Sequence, residues 1–239
     1  MGKIYRYECR RLLWNQFFAG LAAVLLGYGA LVLRGVTILG VSHTAPFSPW
    51  SFGDYLSRML PLLWIGALFF LTFFTSLKAR RTAALIDAVP MRPARFALAR
   101  CAAAFTGTAI LALLCIAEAA VFYSRMFGWY SWGSLVFPAL VTLLPPLGFV
   151  LGSGWLFGRL RHWMLYVWMS IPILLAMIPL PEIMGLWNGS FFTAYPLTLE
   201  ELDPAFTLPG SIAIVQLLLL VVGVTMLVFG SKRRSICNH

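Results

Sequence analysis

Acidic side chains are scarce in this sequence: there are eight Asp and Glu among 239 residues. Charged residues of both signs make up 11%, against about 25% in an ordinary soluble domain. A soluble fold of this size could not clothe its surface in so few charges. That excludes a cytosolic enzyme and a disordered chain. The four cysteines, Cys9, Cys101, Cys115 and Cys237, do not make a secreted disulfide scaffold, and no two are spaced as a metal knuckle. The three histidines, His43, His162 and His239, lie far apart and offer no metal cluster. A Gly-x4-Gly-Lys-Ser/Thr loop is absent, and Gly2-Lys3 is the only Gly-Lys pair. The chain therefore carries no standard nucleotide site and no cofactor motif of its own.

What is abundant is apolar. Hydrophobic residues reach 61%, mean hydropathy is +0.86, and there are nineteen Phe and nine Trp. Aromatics of this kind are favoured at membrane interfaces. A bilayer core of about 30 Å needs about 20 apolar residues as helix. Six stretches qualify: 17–33 (running on past Arg34 to residue 41), 59–77, 101–123, 134–157, 163–180 and 210–229. They leave too little chain for a soluble domain. The expectation is an all-α polytopic membrane protein, one membrane domain over residues 1–239. The first span is an anchor rather than a cleaved leader, because no small-x-small site follows it.

Charge placement sets the topology. One set of connections carries Lys3, Arg6, Arg10, Arg11, Lys78, Arg80, Arg81, Arg92, Arg95, Arg100, Arg159, Arg161, Lys232, Arg233 and Arg234. The other set carries only Arg34, Arg58 and Arg125, with five of the eight acids. Fifteen cations against three predict an even number of spans with both termini cytoplasmic. The same split explains the net charge of +10 without nucleic acid.

The connections carry further signals. In residues 1–15, Lys3, Arg6 and Arg10 form a basic stripe with Tyr7 and Trp14 beside it. Tyr5, Cys9 and Leu12 lie opposite. This suits an interfacial helix on anionic lipid, although Glu8 and Arg11 blunt the pattern. The plainer reading is an unstructured basic tail. In the longest basic connection Thr82 can cap a short helix over 82–89, which Pro90 and Pro93 end. Leu85, Ile86 and Val89 then share one face, shaped to dock into a groove on another protein or to rest on lipid. Residues 181–209 hold Trp187, Phe191, Phe192 and Tyr195, too apolar for a free loop. Pro196, Pro204 and Pro209 break them too often for a span. Such a segment can dip back into the membrane where protein covers its backbone.

Two intramembrane features remain. Glu118 is the one acid well inside an expected span, either a substrate or proton contact or a hydrogen-bonded structural glutamate. The fourth span carries Pro138, Pro145 and Pro146, then Gly148, Gly152, Gly154 and Gly158. Gly148-x3-Gly152 and Gly154-x3-Gly158 are small-xxx-small pairs for close helix approach. Gly152-Ser153-Gly154 lacks the Gly two residues before Ser and a later intramembrane His, so it does not read as a serine protease.

A basic interfacial N-terminal helix, six spans, a short cytoplasmic helix between spans two and three, and a semi-apolar outer segment between spans five and six resemble the ABC type-2 (exporter-type) permeases. The closest local resemblance is Arg81-Thr82-Ala83-Ala84-Leu85-Ile86-Asp87-Ala88-Val89-Pro90-Met91-Arg92-Pro93, similar to that family's coupling segment. Asp87 departs from the small polar residue of many relatives. Residues 2–18 and 40–53, the latter with Thr44-Ala45-Pro46-Phe47-Ser48-Pro49-Trp50, resemble small permeases of clostridial-type bacteria. The resemblance implies a permease subunit of the bacterial cytoplasmic membrane that is not itself an enzyme. ATP and Mg²⁺ would sit on a separate cytoplasmic ATPase, and a second permease subunit would complete the path. Thr82, Leu85, Ile86, Asp87, Val89 and Pro90 would couple to the ATPase. A secondary transporter or channel, and a membrane-bound immunity or scaffold protein, are the competing classes.

Overall fold

The computed structural model describes residues 2–75, 93–178, 184–199 and 201–232, and holds no strand among them. Eight α-helices are numbered here in chain order. They are α1 (Gly2–Leu13), α2 (Gln16–Gly35), α3 (Pro49–Thr75), α4 (Pro93–Phe127), α5 (Gly133–Leu160), α6 (Trp163–Met177), α7 (Ser190–Ala194) and α8 (Gly210–Lys232). The protein is thus an all-helical bundle with the composition of a polytopic membrane protein. The segment 82–89, with Thr82, Leu85, Ile86, Asp87, Val89 and Pro90, lies outside the described residues.

Five helices, α2, α3, α4, α5 and α8, are long and apolar enough to cross a bilayer. The expected fifth span is shorter than the composition of 163–180 suggests. The helix α6 has 15 residues, about 22 Å at 1.5 Å per residue. That falls short of the roughly 30 Å hydrocarbon core.

The chain after α6 folds against α3. The Trp187 ring lies 4.9 Å from Trp64 and 6.3 Å from Phe149. Trp64 is well inside α3 and Phe149 is in the middle of α5. This connection therefore dips into the bundle and then climbs, with Phe191 5.7 Å from Trp50 near the start of α3. Its backbone groups find local partners: Trp187 N–H donates to the Met184 carbonyl and Phe191 N–H to the Gly185 carbonyl. Non-helical backbone is tolerated at membrane depth when it is covered and satisfied in this way.

Helix α3 is the hub, buried along most of its length. It begins at Pro49, ten residues before the apolar run at 59. Those extra turns carry Ser51, Asp54, Ser57 and Arg58, whose side chains find partners except at Asp54 Oδ1, which is buried without a hydrogen bond. The Ser51 hydroxyl donates to the Ala45 carbonyl at 2.9 Å and accepts from Val41 N–H at 3.2 Å. Asp54 takes Arg58 at 2.8 Å. Trp50 Nε1 donates to the Pro204 carbonyl at 2.8 Å. The Ser42 hydroxyl donates to the Thr193 carbonyl. These contacts tie residues 36–48, 184–199 and 201–209 into one cap over the end of α3. Gly189 holds it close: its φ is +82°, and a Cβ there would sit 2.7 Å from both Asp54 Oδ1 and Ser57 Oγ.

Helix α5 packs on α3 and, most extensively, on α8. It runs without interruption through Pro138, Pro145 and Pro146. The four glycines of its second half all lie at contacts with other helices. A Cβ on Gly148 would meet Leu220 at 3.0 Å, one on Gly152 the Gly223 carbonyl oxygen at 2.0 Å, and one on Gly154 the end of Leu68 at 2.4 Å. On Gly158 it would meet Thr75 at 2.9 Å. Ser153 is engaged, donating to the Phe149 carbonyl at 2.7 Å and accepting from Trp168 Nε1 at 3.1 Å.

Candidate functional sites

Three places in the bundle concentrate chemistry. The first is the join between α1 and α4. Helix α1 lies with Lys3, Arg6, Tyr7, Arg10 and Trp14 exposed and Glu8 and Leu12 buried. The Arg10 guanidinium stands 5.7 Å from the Trp14 ring. The inner face is bound to α4 rather than simply to lipid. Arg100 Nε donates to Glu8 Oε1 at 3.3 Å, with the two side chains 9% and 4% exposed. Arg11 reaches the other Glu8 oxygen at 4.0 Å. The Arg100 guanidinium also lies over the Phe96 ring at 4.1 Å. Thr106 spends its proton on the Ala102 carbonyl, so the Tyr5 hydroxyl donates to Thr106 Oγ1 at 2.7 Å. Leu12 fills the space left by Gly107, where a Cβ would fall 2.4 Å from it. Glu8, a blemish on the basic stripe in sequence, is the residue that fixes the helix.

The second place is a groove of about 590 Å³ between α4, α5 and α8, floored by Leu71 of α3. Cys101, Phe105, Leu144, Gly148, Trp155 and Val224 are among its lining residues. Leu71, Ala97 and Val228 place it toward the helix ends that carry the basic connections. The Arg159 guanidinium stands 5.8 Å from the Trp155 ring at that end. The walls offer a thiol and an indole but no acid, base or hydroxyl. Such a surface can hold alkyl or aromatic groups. The glycine run was legible in sequence as a packing device. That the same stretch walls a groove was not, because the other walls come from distant α4 and α8.

The third place is Glu118, half-buried on α4. The Tyr55 hydroxyl of α3 lies 3.3 Å from its Oε2 and 3.2 Å from the Cys115 carbonyl. On the α2 side Gly29 abuts the carboxyl: a Cβ there would sit 2.3 Å from Oε2. The glutamate thus sits where α2, α3 and α4 meet. Sequence alone singled out Glu118 but gave no sign of Tyr55, which is 63 residues away.

Metal binding has no support among the described residues, which hold no group of three potential ligands. Cys9, Cys101 and Cys115 are free thiols. Comparison with family models, with curated proteins and with solved structures finds no match to this chain.

Proposed function

We propose that the chain is the membrane-spanning permease subunit of an ATP-driven exporter of the ABC type-2 kind, working with a separate cytoplasmic ATPase and a second permease subunit. In this reading the chain crosses the bacterial cytoplasmic membrane six times, with α6 and the dipping segment after it making the fifth crossing, and both termini are cytoplasmic. ATP and Mg²⁺ belong to the ATPase, and anionic lipid takes the exposed cations of α1. The carried substrate is amphipathic or hydrophobic, a peptide, an antibiotic or a lipid; the apolar groove supports that class.

The observation that carries the coupling part is the buried Glu8–Arg100 pair. Arg100 lies in the early turns of α4, directly after the connection that resembles the coupling segment. A push on residues 82–89 would therefore move α4 and α1 together. The test is Leu85→Ser with Ile86→Ser. Burying one such side chain is worth about 1.5–3 kcal/mol. Losing two should weaken ATPase binding at least tenfold, since 1.4 kcal/mol is a factor of ten. Pull-down of the ATPase and a transport assay read the result, and unchanged binding with unchanged transport would sink the coupling role. A carrier or channel predicts that no ATPase co-purifies at fixed stoichiometry.

The orientation has its own check. Single cysteines at Tyr130 and Glu201, both exposed, should react with an impermeant maleimide in sealed cells. A cysteine at Arg161, also exposed, should react only after the cells are opened. The reverse pattern would turn the protein over.

A further inference from the structure

The contact at Glu118 is one proton short if the glutamate is ionised. A phenol has a single proton to give. The Tyr55 hydroxyl faces two acceptors, Glu118 Oε2 at 3.3 Å and the Cys115 carbonyl at 3.2 Å. An ionised Glu118 would share that proton with a carbonyl and have no other donor. Among the described residues the ion pairs are Arg11–Glu8, Arg58–Asp54 and Arg100–Glu8, and none involves Glu118. An unpaired carboxylate inside an apolar bundle is expensive. The site lies within the helices rather than in a connection. Glu118 lies nine residues from the end of α4, about 14 Å at 1.5 Å per residue. Gly29 and Tyr55 each lie six residues, about 9 Å, from the ends of α2 and α3.

We propose that Glu118, Tyr55 and the Cys115 carbonyl form a proton-binding site where α2, α3 and α4 meet. In it Glu118 is a neutral carboxylic acid that donates to the Tyr55 oxygen, while Tyr55 donates to the Cys115 carbonyl. The added proton completes the chain: each hydroxyl hydrogen has one acceptor. The groups that face Glu118 agree with this. Helix α2 presents Gly29, with no side chain; α3 presents Tyr55; α4 itself brings the Cys115 thiol one turn away. Arg58, one turn along α3 from Tyr55, is held by Asp54 at 2.8 Å. The bound ligand is thus a proton, and losing it would leave a bare charge where three helices meet. This site is independent of the ATPase reading, and it would stand if that reading failed.

The decisive measurement is infrared spectroscopy of the full chain in lipid nanodiscs at neutral pH, wild type minus Glu118→Gln. The glutamine has the same shape and can donate to the same Tyr55 oxygen, so folding should survive, as gel filtration will show. The expected result is a carboxylic-acid carbonyl band in the wild type that shifts in D₂O and is lost in the variant. Absence of that band from correctly folded wild-type protein would overturn the proposal. A lipophilic carbodiimide gives a second readout, because it reacts with the protonated acid. The acid O–H adds across one C=N bond, with the proton going to nitrogen and the carboxyl oxygen to the central carbon. The product rearranges to a stable N-acylurea with nothing lost. Mass spectrometry should find this adduct on Glu118 in the wild type. An adduct that appears only in Tyr55→Phe would mean that Tyr55 holds an ionised carboxylate, and would also refute the neutral acid.

Discussion

Replacing Glu8 with alanine should destabilise the protein by about 3–5 kcal/mol, the usual cost of breaking a buried ion pair from one side. The reason lies in what remains. Arg100 is 9% exposed and keeps its position over the Phe96 ring, but its Nε loses the carboxylate 3.3 Å away. A buried cation that loses its carboxylate partner is less well compensated than the paired cation. The double variant Glu8→Ala with Arg100→Met should therefore recover most of the loss, which a simple packing defect in α1 would not do. Two measurements follow the change. Thermal unfolding in detergent should fall clearly for Glu8→Ala and rise again for the double variant. The half-buried Cys9 thiol, on the same helix, should react faster with maleimide as α1 comes away from α4. An unchanged melting point with unchanged Cys9 reactivity would show that Tyr5, Leu12 and lipid hold the helix without the ion pair.

The same pair shows where sequence reading stops. Long apolar runs announced the spans because lipid permits little else. The ends of those spans were less visible. Helix α3 starts at Pro49 and α4 at Pro93, well before the apolar runs at 59 and 101. The missing turns carry Ser51, Asp54, Ser57 and Arg100, which hydropathy scores as loop. On α3 their partners are close in sequence: Ser51 donates to Ala45, Ser57 to the Asp54 carbonyl, and Arg58 holds Asp54; Arg100 alone depends on a distant partner, Glu8. Residues 163–180 differ the other way: almost wholly apolar, yet the helix α6 ends at Met177 after 15 residues. Glu118 was legible as a lone intramembrane acid; its tyrosine was not. Glu8 read as a flaw in a basic stripe, since Arg100 stands 92 residues away.

The glycines of α5 divide in the same manner, and they lead to the second large effect. The run Gly148, Gly152, Gly154 and Gly158 proclaims close packing, but nothing in it ranks the four. The neighbours rank them. On Gly154 and Gly158 a Cβ would meet the ends of Leu68, Leu71, Leu165 and Thr75, and on Gly148 the end of Leu220, side chains that can turn aside. On Gly152 it would meet the backbone of α8: the Gly223 carbonyl oxygen at 2.0 Å, its carbon at 2.7 Å and Cα at 2.8 Å. The crossing is reciprocal, since a Cβ on Gly223 would lie 2.6 Å from the Gly148 carbonyl oxygen. Gly223 itself has no small residue four positions away to mark it, so only the packing reveals it. Backbone cannot rotate out of the way, so Gly152→Ala must push α5 and α8 apart along their broadest contact. Overpacking commonly costs about 1–3 kcal/mol, and this substitution should reach the top of that range or pass it. Gly152→Val and Gly223→Ala should be as damaging, whereas Gly148→Ala and Gly158→Ala should cost distinctly less. Thermal unfolding of the five variants in one detergent makes the comparison. Because Gly148, Leu220 and Val224 line the apolar groove, separating the two helices should also widen it and speed reaction of Cys101 with a lipid-soluble maleimide. Equal losses at Gly152 and Gly158, with no change at Cys101, would mean that α8 is not held to α5 by this backbone crossing.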